Sequence, residues 1–118
     1  IGSHLCERLV SSGHSVTAID DFSTGDPVNL VGLDKSKAFT LVEGSILDAN
    51  LLTPLVHHAD YVFHLAAAVG VFNIVNNPLA SLLTNIRGTE NVLGLANKMK
   101  IPVFFTSSSE VYGKNISD

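Results

Sequence analysis

The apolar residues of this chain recur with helical spacing in three segments. The first such segment ends at Gly13, so residues 2–12 are predicted to form an amphipathic helix. A short helix is predicted over residues 49–56. A long helix is predicted from Pro78 to Met99, because proline suits the first turn of a helix and the residues after it repeat with a helical period.

Four other segments are short and rich in β-branched or aromatic residues, as strands are. The third of them lacks polar alternation, so it is predicted to be buried on both faces of a sheet. Helices and strands alternate along the whole chain, which predicts an α/β fold with a parallel sheet and helices on both faces. The chain shows no internal repeat or linker, and we expect one domain. The predicted strands are residues 15–19, 39–42, 60–65 and 102–106.

The composition narrows the classes of protein to which the chain can belong. Of its 118 residues, 46% are hydrophobic and 15% charged, and the formal net charge is −4, which is typical of a globular domain. An acidic balance without clustered Lys and Arg argues against a nucleic-acid partner. No apolar stretch reaches the length of a membrane span, so no membrane partner is expected. The single Cys6 forms no internal disulfide, which favours a cytoplasmic location.

Polar or very small residues follow each predicted strand, where parallel sheets bind their ligands. The five histidines lie on separate elements without the spacing of metal ligands, so no metal site is expected. His64 ends a buried strand, and a structural hydrogen-bonded role is favoured over that of a base. The segments at this edge are residues 20–21, 44–45, 64–67 and 107–110.

Gly2 and Asp20 have the spacing of part of a dinucleotide-binding motif. Gly2 opens the first helix and Asp20 ends the first strand, close to the roughly 20 residues that separate the last glycine from the acidic residue that binds the adenosine ribose. The alternative is that Asp20 simply forms a turn. A carboxylate here would repel a 2′-phosphate, and no Lys or Arg lies between Arg8 and Lys35, so NAD is favoured over NADP.

The segment from Ser107 to Glu110 places three hydroxyl groups and a carboxylate after the last strand. One interpretation is a serine-rich turn that caps the next segment. The other is a site in which a hydroxyl hydrogen-bonds a reacting oxygen and Glu110 exchanges a proton with the substrate. A nucleophilic serine is less favoured, because no Gly-x-Ser-x-Gly sequence surrounds these positions.

Six segments in register resemble the extended short-chain dehydrogenase/reductases, the NAD-dependent epimerase/dehydratase family that acts on nucleotide sugars. Together they cover nearly the whole chain, and as a set they are specific to the family, although not to one member. The segments are residues 1–5, 18–25, 42–48, 62–67, 84–92 and 107–113.

The resemblance implies a Rossmann-like doubly wound parallel sheet that binds NAD. By this resemblance the pyrophosphate turn ends at Ile1 and Gly2, and Asp20 holds the adenosine ribose. The adenine side is lined by Asp21, Phe22, Ser23, Thr24 and Gly25, and bordered by Ser45 and Ile46. The pyrophosphate and nicotinamide ribose lie along Leu65, Ala66 and Ala67, and Asn85 contacts the cofactor region from its helix.

The resemblance also implies an activity. Ser108 matches a catalytic residue that hydrogen-bonds the sugar 4-oxygen during transient oxidation at that position, and Glu110 matches an acid/base residue of the dehydratase and decarboxylase branches. The implied protein is a homodimeric epimerase, dehydratase or decarboxylase with a nucleotide-sugar substrate. An alternative is a non-catalytic dinucleotide-binding or sensing module on the same fold.

The chain departs from the family pattern in three places. Ser45 stands where the family usually has Asp, the start of the glycine-rich turn and its preceding strand are missing, and Tyr112 is followed by Ile116 rather than completing Tyr-x-x-x-Lys. We therefore expect residues 1–118 to form a partial NAD-binding Rossmann domain that lacks its first strand and the carboxy-terminal substrate part. Alone, it is expected to be inactive and poorly stable, because two inner strand edges would be unpaired.

Overall fold

A computed structural model describes residues 1–113, apart from the side chains of Ser109 and Glu110. The chain contains the predicted strands and helices, but a 3-10 turn rather than an α-helix separates the first two strands, and three helices follow one another before the last strand. A π-helical turn, Thr84–Gly88, joins the fourth and fifth helices. The elements are α1 Gly2–Ser11, β1 Val16–Asp20, β2 Phe39–Glu43, α2 Ala49–His57, β3 Val62–His64, α3 Val71–Asn76, α4 Pro78–Leu83, α5 Thr89–Met99 and β4 Val103–Phe105, with 3-10 turns at Pro27–Leu30 and Ser109–Tyr112.

The strands form two parallel pairs. β1 pairs with β2, with Ala18 opposite Leu41, and β3 pairs with β4, with Phe63 opposite Phe104. Within residues 1–113, no backbone hydrogen bonds of a ladder join the two pairs into one sheet. The parallel arrangement confirms the predicted α/β class, and the division into two pairs agrees with the predicted incomplete sheet.

The helices start and end where their local sequence favours it. α1 ends before Gly13, whose φ of 88° lies in the left-handed region that glycine adopts without strain. α2 begins after Asp48, because a carboxylate oxygen of Asp48 accepts hydrogen bonds from the backbone N–H groups of Asn50 and Leu51 at 3.0 and 3.1 Å. None of the helices that the structure describes is long and apolar enough to cross a membrane.

One core connects the two strand pairs. Ile46, Leu52 and Val92 form a buried cluster between the β2–α2 loop, α2 and α5. Ile19 of β1 and Val62 of β3 both pack against this cluster. The two strand pairs are therefore held together by the same apolar contacts.

The prediction that residues 60–65 form a strand buried on both faces is wrong. The strand is Val62–His64, and Phe63 is 39% exposed whereas His64 is 4% exposed. Successive side chains of a strand point to opposite faces, and α5 packs against β3 on one face. Phe63 contacts the rings of Tyr61 and Phe104 instead, with ring centres 5.0 and 5.9 Å away.

Candidate functional site

The carboxyl ends of β1 and β2 meet, as expected for parallel strands. Asp20 lies opposite Glu43 in the ladder, and the N–H of Gly44 donates to the carbonyl oxygen of Asp20 at 3.0 Å. In the second pair, the N–H of Thr106 donates to the carbonyl oxygen of His64 at 3.4 Å. The polar segments that follow the strands are thus brought together within each pair.

The turn after β1 is organised around the carboxylate of Asp20. Its Oδ1 accepts a hydrogen bond from the N–H of Phe22 at 2.8 Å. The backbone of Gly25 lies close to the same carboxylate, because a Cβ added to Gly25 would lie 3.4 Å from Oδ2 of Asp20. Asp20, Ser23, Thr24 and Gly25 are exposed, and Phe22 is half-buried. The turn therefore presents a fixed carboxylate at the edge of the sheet.

Asp21 joins this turn to the loop after β2. The hydroxyl group of Ser23 lies close to its carboxylate, the N–H of Ser23 donates to Oδ1 at 3.0 Å, and the hydroxyl group of Ser45 also lies close to the carboxylate. These contacts favour the charged form, and they hold the pKa of Asp21 below its usual value although burial acts in the opposite direction. Asp21 therefore remains an anion, and its contact with Ser45 was not predicted from the sequence.

The start of α1 lies beside the loop after β3. A Cβ added to Gly2 would lie 4.0 Å from Cδ1 of Leu65, so the backbone of Gly2 lies next to the Leu65 side chain. Ile1 is 95% exposed. Leu65 is half-buried, and Ala66 and Ala67 are exposed. The structure thus brings together two of the segments that the sequence assigns to the pyrophosphate.

The loop after β3 is held by the long helix. Oδ1 of Asn85 accepts from the N–H of Ala68 at 2.8 Å, and Nδ2 of Asn85 donates to the carbonyl oxygen of Ala68 at 3.2 Å. Nε2 of His64 and Oγ1 of Thr89 hydrogen-bond each other at 2.9 Å. Burial lowers the pKa of His64, which keeps its ring neutral. The predicted structural role of His64 agrees with this environment.

Ile46, which by the resemblance borders adenine, lies in the core. Its side chain is 6% exposed and packs in the core against Val92. Its carbonyl oxygen accepts a hydrogen bond from Nδ2 of Asn91 at 3.1 Å. The contact with adenine that the resemblance implies stays a prediction, and a buried side chain would contribute little to it.

This chain matches a known family over its full length. The model of the NAD dependent epimerase/dehydratase family matches residues 1–118. The chain belongs to this family. It is 44% identical to the UDP-N-acetyl-alpha-D-glucosaminuronate decarboxylase of Bacillus cytotoxicus and 36% identical to UDP-glucuronic acid decarboxylase 1 of Arabidopsis thaliana, over 97% and 96% of this chain. These matches confirm the resemblance on which the sequence interpretation depended.

A solved structure of the epimerase/dehydratase family confirms the Rossmann-like fold. The dTDP-glucose 4,6-dehydratase DesIV of Streptomyces venezuelae, crystallised with NAD, superposes with a TM-score of 0.90 at 28% sequence identity over 99% of this chain. The chain spans 39% of that protein's length, and 35% and 25% of the lengths of the two decarboxylases.

The predicted catalytic residues of this family member lie after β4. Ser108 follows that strand and is exposed, and its carbonyl oxygen accepts from the N–H of Val111 at 3.3 Å. Glu110 belongs to the 3-10 turn Ser109–Tyr112, but its side chain lies outside the described residues. The described residues contain no group of three or more His, Cys, Asp or Glu side chains that could hold a metal ion.

The sequence interpretation missed two residues that organise the edge. Thr89 and Asn91 both lie in α5. Thr89 contacts His64 at the end of β3, and Asn91 contacts the loop after β2. They fall within the segment 84–92 that carried the resemblance, but the helical pattern gave neither a role. A polar residue next to a core position of a helix is the pattern that could have identified Asn91, because Asn91 directly precedes the buried Val92.

Proposed function

We propose that this chain is the NAD-binding part of an enzyme that modifies nucleotide sugars. The observation that carries the proposal is the exposed Asp20 carboxylate, fixed by its own turn at the carboxyl edge of β1. Such a carboxylate can accept hydrogen bonds from both hydroxyl groups of an adenosine ribose. The first turn of α1 begins at Gly2 beside Leu65, and the N-terminus of a helix is a usual binding site for a pyrophosphate.

The charges at this edge support NAD rather than NADP. Asp20 and Asp21 lie side by side, and the polar contacts of Asp21 keep it ionised. No Lys or Arg lies between Arg8 and Lys35, so this turn itself offers no cation to a 2′-phosphate. The residues present therefore fit a coenzyme with a free 2′-hydroxyl group.

The reaction that we propose begins with transient oxidation at the sugar 4-position. When bound, NAD would supply the acceptor for the hydride of carbon 4, and a general base would accept the proton of the 4-hydroxyl group; both would be returned later. Ser108 would hydrogen-bond the 4-oxygen, and Glu110 would exchange a proton with the substrate. The two relatives named above are decarboxylases of UDP-linked sugar acids. Their names and the presence of Glu110 support decarboxylation over epimerisation as the first reaction to test.

The test uses the complete protein that the gene encodes. Calorimetry with NAD and NADP is expected to show tighter binding of NAD by about tenfold or more. Incubation with UDP-glucuronate is expected to release CO2 and leave a UDP-pentose. UDP-glucose is included as a substrate that tests for epimerisation, and dTDP-glucose as one that tests for dehydration. NAD binding without turnover of any of these sugars would favour the non-catalytic module, and failure to bind NAD would refute both functions.

Ser108→Ala separates catalysis from binding within the same experiment. Loss of the hydroxyl group is expected to lower kcat by about 10²-fold or more, while the Kd for NAD stays unchanged. Ser11→Ala is the matched control, because Ser11 lies at the end of α1 and its hydroxyl donates to the carbonyl oxygen of Arg8. Unchanged turnover in Ser108→Ala would remove this residue from the mechanism.

We also propose that the protein works as a homodimer in the cytoplasm. Six apolar side chains of α3, α4 and the π-helical turn are more than half exposed, and we name this set the α3–α4 surface. An apolar area of this kind is typical of an interface between subunits. The free Cys6, which forms no disulfide, supports the cytoplasmic location. The α3–α4 surface consists of Val71, Phe72, Val75, Leu79, Leu82 and Ile86.

A further inference from the structure

The loop between β2 and α2, residues 44–48, is attached to helix α5 through Asn91. Nδ2 of Asn91 donates to the carbonyl oxygen of Ile46 at 3.1 Å and to that of Leu47 at 3.3 Å. The two acceptors belong to consecutive residues. A single amide group therefore fixes the direction of both carbonyl groups in the middle of the loop.

The same loop carries the hydroxyl group that contacts the turn after β1. Oγ of Ser45 accepts from the N–H of Leu47 at 3.3 Å, and the Ser45 hydroxyl lies close to the Asp21 carboxylate. A displacement of Leu47 would therefore displace the Ser45 hydroxyl, and with it a partner of Asp21. The path from Asn91 to the turn after β1 consists of two hydrogen bonds, at Leu47 and Ser45, and the contact between Ser45 and Asp21.

Helix α5 holds Asn91 in place through packing. The next residue, Val92, is 3% exposed and belongs to the core cluster, and α5 lies against α2. The side chain of Ile46 fills the space beside Gly88, one helical turn before Asn91. Positions 88, 91 and 92 of the helix therefore all face the loop, and the loop has little freedom to shift relative to them.

We propose that Asn91 is a positioning residue that sets the loop of residues 44–48 for the adenosine end of NAD. This inference rests on the proposed NAD binding. Asn91 acts through Ile46 and Leu47, because its amide group is used by their carbonyl oxygens. Removal of that amide leaves two carbonyl oxygens without their donor, so the loop loses its fixed conformation and pays an ordering cost whenever the coenzyme binds.

The experiment compares variants of two asparagines on α5 in the protein as its gene encodes it. Asn91→Ala removes the amide group, and Asn91→Asp keeps the size but places a carboxylate opposite the two carbonyl oxygens. Asn97→Ala and Asn97→Asp are the controls, because Asn97 is exposed and its Oδ1 accepts only from Nζ of Lys100, at 3.3 Å, among the contacts that the structure describes. Binding of NAD and of ADP is measured by calorimetry.

Both Asn91 variants are expected to raise the Kd for NAD and for ADP by about tenfold, while both Asn97 variants leave it unchanged. Hydrogen exchange of the Leu47 and Asp48 amides is expected to become faster in the Asn91 variants only. A merely structural role would lower the unfolding midpoint without changing the Kd of the folded protein. If the Asn91→Ala variant does not fold, the Kd values of the isosteric Asn91→Asp variant test the inference.

Two results would overturn the inference, and they differ from each other. If the wild-type protein binds NAD and ADP and the Asn91 variants bind them equally well, the positioning role is refuted while the proposed function stands. If the wild-type protein binds neither ligand, the proposed function and the inference that rests on it are both refuted.

Discussion

Nε2 of His64 and Oγ1 of Thr89 hydrogen-bond each other at 2.9 Å and join the end of β3 to the start of α5. His64 is 4% exposed, and its ring also lies against that of Phe105, with ring centres 5.6 Å apart. A ring nitrogen in such a place costs free energy when it lacks a partner. The bond therefore stabilises the strand end from which Leu65 enters the candidate site.

Thr89→Val tests this bond, because valine keeps the shape of threonine without its hydroxyl group. We expect the free energy of unfolding to fall by about 1–3 kcal/mol, since the imidazole nitrogen loses its partner. Urea unfolding of the protein as its gene encodes it measures the change. Thr53→Val is the control, because the exposed Thr53 bonds only to its own helix among the residues that the structure describes. A change within about 0.5 kcal/mol is expected. Equal effects of the two variants would contradict the prediction.

The pH dependence of stability follows from the burial of His64. Burial lowers its pKa, so the folded state takes up the proton at a lower pH than the unfolded state, whose histidine titrates near about 6.5. Between the two pKa values the unfolded state binds more protons, so stability rises with pH there. The contribution of neutral His64 is complete above about pH 6.5 and decreases as the pH falls.

His64→Gln removes the titrating group, and we expect the fall in unfolding free energy between pH 7 and pH 5 to become smaller. Urea unfolding at a series of pH values measures this. His14→Gln is the control, because His14 is exposed and the slope is expected to persist. A wild-type slope in His64→Gln would show that other groups determine the acid sensitivity.

Most elements of the fold could be predicted because their periodicity is local. The strand predicted at residues 39–42 is observed as Phe39–Glu43, and the helix predicted at 49–56 as Ala49–His57. The helix from Pro78 to Met99 was also predicted, but its π-helical turn was not, since one wider turn leaves the apolar pattern almost unchanged. α3 was missed because a helix of six residues is too short to show a period.

The candidate site could be predicted less completely, because its contacts join residues that are distant in sequence. Asp20 was found from its spacing to Gly2 and its place at a strand end. The contact between Asp21 and Ser45 depends on the pairing of β1 with β2, and the hydrogen bonds of Asn91 depend on how α5 packs on the β2–α2 loop. No local pattern carries such information.

Gly88→Ala is expected to destabilise the protein, because the added Cβ would collide with the side chain of the buried Ile46. We expect a loss of about 1–3 kcal/mol in unfolding free energy, the usual cost of an overpacked core. The double variant Gly88→Ala, Ile46→Ala is expected to lose less than the sum of the two single variants, since alanine removes the atoms in the collision. Thermal and urea unfolding measure all three.

Gly94→Ala is the matched control on the same helix. Gly94 is exposed, and a Cβ there would meet nothing within 4 Å. Alanine favours a helix interior over glycine by about 0.5–1 kcal/mol, so this variant is expected to be more stable than the wild type. The same sign of change in Gly88→Ala and Gly94→Ala would contradict the contact between Gly88 and Ile46.

Asp20→Asn tests the electrostatic part of the proposed NAD binding. The amide keeps the size of the side chain but removes its negative charge, so we expect NAD to bind about tenfold more weakly and the preference for NAD over NADP to shrink. Calorimetry with both coenzymes measures this. Asp34→Asn is the control, because Asp34 is exposed, carries the same charge and belongs to no predicted site. Unchanged selectivity in Asp20→Asn would refute the role of this carboxylate.

The α3–α4 surface is expected to lie in the interface of the proposed homodimer. Leu79 is 71% exposed, and a glutamate at this position would have to lose its water shell in an apolar interface. Leu79→Glu is therefore expected to raise the dimer dissociation constant by at least about tenfold, as measured by sedimentation of the protein as its gene encodes it. Val28→Glu is the control, because Val28 is 64% exposed and lies in the 3-10 turn outside this surface. If both variants remain dimers with wild-type affinity, the subunits associate through another surface.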